Sequence, residues 1–265
     1  MTLVAGVAGR PIGHSLSPVI HTAWIGAAGL DARYGAFEPA DEAEFKSLLE
    51  RGRSGELRGL NVTAPYKQLA LSLSDEVGGT AAACGSANLV VFEGGGVRAD
   101  STDGEGLMSA LREQAPGLEI AGRRVVVLGA GGAARAAVAA LVAAGAEVAV
   151  MNRTRSRAEA LTAEVGGVVA DAGALPEAAL VVNALSVPPE VDVANLREDA
   201  VLMDMTYRPL VTPFLQAGRD RGMTVVDGLA MLIGQARPSF RAFFGVEPPA
   251  IDVRALALSA LEEAA

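Results

Sequence analysis

Short apolar runs alternate with stretches of helical periodicity along nearly the whole chain. Leu3–Ala8 is a six-residue apolar run and reads as a strand. Ser17-Pro18 opens a helix to about Ala28, with Ser17 read as its N-cap, Pro18 at the first helical position and Gly29 beyond the end. Arg33–Phe37 is the next strand. Asp41, followed three residues on by Glu44, predicts a capped helix to about Arg51. Gly59–Thr63 is a short strand, and Ser86–Phe92, Gly94–Gly96 and Val97–Asp100 read as a hairpin. From Asp103 a helix runs to about Gln114. A buried strand (Arg124–Leu128), a glycine loop, a helix (Ala133–Ala144) and a strand (Glu147–Met151) follow. Further strands fall at Leu180–Ala184, Val201–Met205 and Thr224–Val226, and Gly228 onward returns to helix, ending with Ile251–Glu263. This alternation predicts an α/β protein with parallel strands. The middle third reads as a nucleotide-binding unit inserted between two parts of another domain.

Composition narrows the function classes. The chain has 265 residues and a net charge of −9, which argues against a nucleic-acid partner, since phosphate backbones demand a basic face. Hydrophobic residues reach 51%, but alanine dominates the excess. The longest apolar stretch, Val125–Met151, is interrupted by Arg135 and Glu147, so no span of ~18 apolar residues is expected to cross a membrane. The opening MTLVAGVAGRP lacks an early basic residue and a long apolar core, unlike a signal peptide. The single cysteine, Cys84, cannot form an internal disulfide and reads as a small buried residue, which fits a cytoplasmic protein. Of 22 basic residues only Lys46 and Lys67 are lysine.

Gly129-Ala130-Gly131-Gly132-Ala133-Ala134 fits G-x-G-x-x-A between a strand and a helix. Such a loop brings backbone close to a pyrophosphate and aims the helix N-terminus at it; the competing reading is a tight turn with small-residue packing. An NAD site places Asp or Glu ~20 residues further on. Here Asn152-Arg153-Thr154-Arg155-Ser156-Arg157 follows Met151, with no carboxylate and three guanidinium groups, which predicts NADP.

Lys67 lies just after Asn61-Val62-Thr63-Ala64-Pro65-Tyr66, on a predicted first helical turn where a cation opposes the dipole. Lysine, unlike arginine, can be tuned toward neutrality, although an ordinary surface charge explains the residue alone. Ser15 and Ser17 lead into a helix N-terminus suited to a hydroxyl or carboxylate. His14 and His21 read as structural, because no ligand cluster accompanies them. Asp103 would by default cap the helix that follows.

Taken in order, His14-Ser15-Leu16-Ser17-Pro18, Asn61–Lys67, Gly85-Ser86-Ala87-Asn88, Thr102-Asp103-Gly104, Gly129–Ala134 and Asn152-Arg153-Thr154 resemble the shikimate dehydrogenase family, as do Asp204–Pro213 and Asp227–Gln235. The resemblance implies an α/β protein of two domains: a substrate-binding catalytic domain of residues 1–103 plus 229–265, and a Rossmann-type NADP-binding domain of residues 104–228. It implies a cytoplasmic enzyme reducing 3-dehydroshikimate to shikimate with NADPH, in the aromatic amino-acid pathway. Lys67 and Asp103 would be the catalytic pair. Ser15, Ser17, Thr63, Asn88, Tyr207 and Gln235 would bind substrate. Gly129, Ala130, Gly131, Gly132 and Ala133 would hold the pyrophosphate, Asn152, Arg153, Thr154 and Arg157 the adenosine phosphate, and Met205, Gly228 and Met231 would lie near the nicotinamide. No metal is implied, and the chain would be a monomer or homodimer. Alternatives within the family act on quinate or an aminoshikimate; outside enzymology, a non-catalytic NADP-binding sensor is the rival. Departures from the family pattern include Leu89 after Asn88, Ser101 before Thr102-Asp103, and Thr22 after His21.

Overall fold

The computed structural model describes residues 2–263. The chain divides into two compact units, the first Met1–Thr102 with Gln235–Ala265, the second Asp103–Gly234. Both are α/β.

The first unit carries β1 (Leu3–Ala8), α1 (Ser17–Ala27), β2 (Ala32–Phe37), α2 (Glu42–Arg53), β3 (Gly59–Val62), α3 (Lys67–Ser72), β4 (Glu76–Val77), α4 (Gly79–Cys84), β5 (Leu89–Glu93) and β6 (Gly96–Asp100). Its sheet runs β2-β1-β3-β5-β6-β4. The expectation of parallel strands holds for β2, β1 and β3, but β5 pairs antiparallel with both β3 and β6. The expected hairpin accounts for the β5–β6 pair. Glu93 pairs with Gly96, leaving Gly94 and Gly95 as a two-residue turn, both at positive φ (60° and 80°). Only glycine enters that region without strain, and so short a turn can join only antiparallel neighbours.

Asp41 caps α2 as expected, accepting from the backbone N–H of Ala43 and Glu44. Ser17 does not cap α1. Leu16 already has helical dihedrals and its carbonyl accepts from Ile20, so the cap lies one residue earlier and carries no side-chain bond. The Ser17 hydroxyl is thereby released for another role. Cys84 is buried, with its thiol against the carbonyls of Ala81 and Ser86.

The second unit carries α5 (Asp103–Gln114), β7 (Arg124–Leu128), α6 (Gly132–Ala143), β8 (Glu147–Met151), α7 (Arg155–Val165), β9 (Val168–Val169), β10 (Leu180–Asn183), β11 (Val201–Asp204), α8 (Pro213–Asp220) and β12 (Val225–Val226). α9 (Gly228–Phe244) begins here and continues into the first unit, which ends with α10 (Val253–Glu263). Asp103 is the first residue of α5 itself, not a residue ahead of it.

All strands of the second sheet are parallel, in the order β12-β11-β10-β7-β8-β9. Read from β9, this is the doubly wound order of a dinucleotide-binding fold, with its reversal between β7 and β10. β7 and β10 are apolar on both faces, as parallel strands covered by helices must be. Two apolar clusters, one containing Val125, Val127, Leu141 and Leu180 and the other Val126, Val181, Leu202 and Leu215, sandwich the sheet. Among the described residues no helix is long and apolar enough to span a membrane, and no group of three potential metal ligands occurs.

Candidate active site

In the second unit the glycine loop sits at the carboxyl end of β7, beside the reversal of strand order. Gly129 has φ +115°, and a Cβ there would meet the Ala184 carbonyl oxygen at 3.3 Å, so the turn itself requires glycine. Gly131 is different. Its dihedrals are extended, and an added Cβ would meet nothing within 4 Å. No packing demand therefore explains Gly131, and its backbone is open to an approaching group. Gly131 is also the N-cap of α6, without a side-chain bond, leaving the first N–H groups of that helix to an incoming anion.

At the end of β8, Asn152 is half-buried and its amide nitrogen donates to the Thr154 carbonyl, shaping the turn into α7. Arg153, Arg155 and Arg157 are exposed. Arg155 pairs with Glu159 at 2.9 Å, while Arg153 and Arg157 have no ion-pair partner among the described residues. Two exposed, unpaired guanidinium groups at the start of a helix repel its dipole and suit a phosphate. Arg135, one turn into α6, is buried and pairs with Glu164, so its charge is already matched.

Met205 and Met231 pack on the core of the second unit, and Tyr207 is half-buried. The loop bearing Tyr207 is pinned by the buried Asp204, whose carboxylate accepts from Thr206 N–H at 2.9 Å and the Thr212 hydroxyl at 2.8 Å. Gly228 needs no ligand to explain it, since a Cβ would strike the Met205 carbonyl oxygen at 2.4 Å. Asp103 is buried at the start of α5.

The first unit gathers Ser15, Ser17, Thr63, Lys67, Asn88 and Gln235. Thr63 and Lys67 flank the turn after β3, and both are half-buried. Ser15 Oγ accepts from Ser17 N–H at 3.3 Å, leaving its hydrogen for another acceptor. Ser17 is buried close to the Tyr34 hydroxyl, which burial holds well above its usual pKa. Tyr34 donates in turn to Asn61 Oδ1 at 2.7 Å. Asn61 Nδ2 donates to Ser239 Oγ at 2.8 Å and to the Asn88 carbonyl at 3.3 Å. Asn88 Nδ2 donates to Gln235 Oε1 at 3.1 Å, and Asn88 Oδ1 accepts from Thr102 N–H at 2.7 Å.

Sequence reasoning passed over Tyr34, Asn61, Thr102 and Ser239 as site residues. One signal was available: Asn61 interrupts a strand buried at every position. A buried amide must find partners.

A parallel sheet in doubly wound order, with a glycine loop at its reversal and unpaired arginines at the end of the next strand, defines a dinucleotide-binding α/β protein of the Rossmann type. Residues 7–90 match the model of the shikimate dehydrogenase substrate-binding domain, and residues 110–198 that of shikimate/quinate 5-dehydrogenase. The chain is 49% identical to the shikimate dehydrogenase (NADP(+)) of Caulobacter vibrioides, covering 98% of this chain and 96% of that one. Among solved structures it resembles shikimate 5-dehydrogenase from Thermus thermophilus in complex with NADP(H) and shikimate (TM-score 0.88, 35% identity, covering 99% and 100% of the two chains). It also resembles quinate dehydrogenase from Corynebacterium glutamicum in complex with NAD (TM-score 0.87, 31% identity, covering 98% and 99%). The chain belongs to the shikimate dehydrogenase family.

Proposed function

We propose that this protein is an NADP-dependent shikimate dehydrogenase that interconverts 3-dehydroshikimate and shikimate. The observation that carries the reading is the order of its motif residues along a chain that matches a shikimate dehydrogenase (NADP(+)) over 98% of its length. The first unit binds the substrate and the second the cofactor. Gly129–Ala133 and the N-terminus of α6 would hold the pyrophosphate. Arg153 and Arg157 would hold the 2′-phosphate, with Asn152 and Thr154 shaping the turn. Met205, Gly228 and Met231 would line the nicotinamide end.

When bound, NADPH would supply hydride to the ketone carbon. The ketone oxygen then gathers negative charge and needs a proton. The Lys67 ammonium donates it, a role worth about 100- to 10,000-fold in rate for a placed general acid. Asp103, acceptor-only when ionised, takes a hydrogen bond from a substrate hydroxyl. The hydroxyls of Ser15 and Ser17 donate to the ring carboxylate. Thr63, Asn88 and Gln235 hold the ring hydroxyls.

The second reading, a quinate-acting enzyme, is favoured by the likeness to the Corynebacterium glutamicum protein. Specificity constants for shikimate and quinate, measured with the same preparation and cofactor, separate the two. A higher constant for quinate overturns the first reading.

A further inference from the structure

Polar side chains join Asn88 and Gln235 to Asn61, Thr102 and Ser239, which the substrate-site reading does not use. Obligatory donors and acceptors set the direction of every bond among them. Thr102 N–H can only donate, so the Asn88 atom 2.7 Å away is its oxygen. The Asn88 amide nitrogen then faces Gln235, 3.1 Å off, and requires the Gln235 oxygen there. Thr102 Oγ1 adds to this orientation, accepting from Asn88 Nδ2 at 3.0 Å and leaving its own hydrogen for Gln235 Oε1 at 3.2 Å. From the other side, the Asn88 carbonyl can only accept, which turns Asn61 Nδ2 toward it and Asn61 Oδ1 toward Tyr34. Asn61 Nδ2 also donates to Ser239 Oγ, whose hydrogen goes to the Gln235 carbonyl at 3.1 Å. Ser239 is fully buried one turn beyond Gln235 on α9 and ties that helix to β3.

With its oxygen committed inward, Gln235 keeps Nε2 without a protein partner among the described residues, yet not sealed from solvent. We propose that Asn61, Thr102 and Ser239 are positioning residues that lock the Asn88 and Gln235 amides in one orientation. Gln235 thereby presents only a donor to the substrate and selects a ring hydroxyl that accepts from it. This rests on the substrate-site reading above. A hydroxyl that accepts from Gln235 keeps its own hydrogen for an acceptor elsewhere, so the lock fixes the polarity of recognition as well as the position of the amide.

Two pairs of variants test this. Ser239→Ala removes the hub, with Ser239→Thr restoring a hydroxyl; Thr102→Val removes Oγ1 at nearly constant volume, with Thr102→Ser restoring it. Loss of one buried hydrogen bond should raise the KM for shikimate about tenfold in Ser239→Ala and Thr102→Val. The KM for NADP should stay within about twofold and kcat within about threefold, and Thr102→Ser should return the shikimate KM to near wild type. A purely structural role would lower stability without this selective, rescuable change. If the wild type turns over but shikimate KM in both Ser239→Ala and Thr102→Val stays within about twofold, or both KM values rise together, the inference is overturned. If Ser239→Ala does not fold, the Thr102 pair decides. Wild type that does not oxidise shikimate defeats the functional reading and this inference with it.

Discussion

His21 offers a sharp test of the packing in the first unit. Its ring is wholly buried, stacked on Tyr34 at 4.0 Å and 3° and edge-on to Trp24 at 5.7 Å. Neither ring nitrogen has a hydrogen-bond partner among the described residues, and burial lowers the pKa from 6.5 to about 3. The folded protein therefore holds neutral imidazole through a range where the unfolded chain takes up a proton. In that window the unfolded state binds more protons, so stability falls as pH falls below 6.5, by at most about 1.4 kcal/mol per unit. Integrated from pH 7.5 to 5.5 the loss is about 1.4 kcal/mol, and down to pH 3 it is about 4 kcal/mol. His21→Phe keeps a flat ring in the stack and removes the titration. Urea unfolding of both proteins can be followed through Trp24, the only tryptophan, which is buried in the same cluster. Carboxylate titrations common to both cancel in the difference. The stability of wild type relative to His21→Phe should fall by about 1.4 kcal/mol between pH 7.5 and 5.5. A difference constant to within about 0.3 kcal/mol would refute the buried, neutral imidazole.

Lys67→Ala should lower turnover by about 100- to 10,000-fold; turnover within a few-fold of wild type removes Lys67 as the acid. Arg153→Ala should raise the KM for NADP about tenfold or more, because a charge-assisted bond is lost, and leave that for shikimate within about twofold; equal effects on both defeat the phosphate assignment. Gly131→Ala places a methyl in open space at allowed dihedrals, so its melting temperature should match wild type while NADP binding weakens; calorimetric titration with NADP reads this, and unchanged affinity would mean that no ligand approaches that backbone.

Much of the fold could be read from periodicity. Leu3–Ala8, Arg124–Leu128, Glu147–Met151 and Asp103–Gln114 coincide with β1, β7, β8 and α5, because each is long enough for its apolar pattern to be unambiguous. The stretch between Lys67 and Cys84 was not legible beyond its first turn. α3 and α4 have six residues each and β4 has two, too few for any period to register. Ser17 misled because a serine before a proline is a good cap by residue type, while the actual cap depends on the dihedrals of Leu16. The motif residues were visible because they lie close together in the chain. Their support was not. Asn61 and Ser239 meet across 178 residues, a relation no spacing rule encodes. The arginines were visible as a group, yet only the structure separates Arg155, paired with Glu159, from unpaired Arg153 and Arg157.

NADP-dependent oxidation of shikimate is the activity on which every residue role above depends. Absorbance of the reduced cofactor, followed with purified enzyme and each combination of shikimate or quinate with NADP or NAD, tests it directly. The highest kcat/KM should belong to shikimate with NADP, exceeding shikimate with NAD by about tenfold or more, the worth of the lost 2′-phosphate contacts. No turnover with shikimate, or a preference for NAD, would contradict the account.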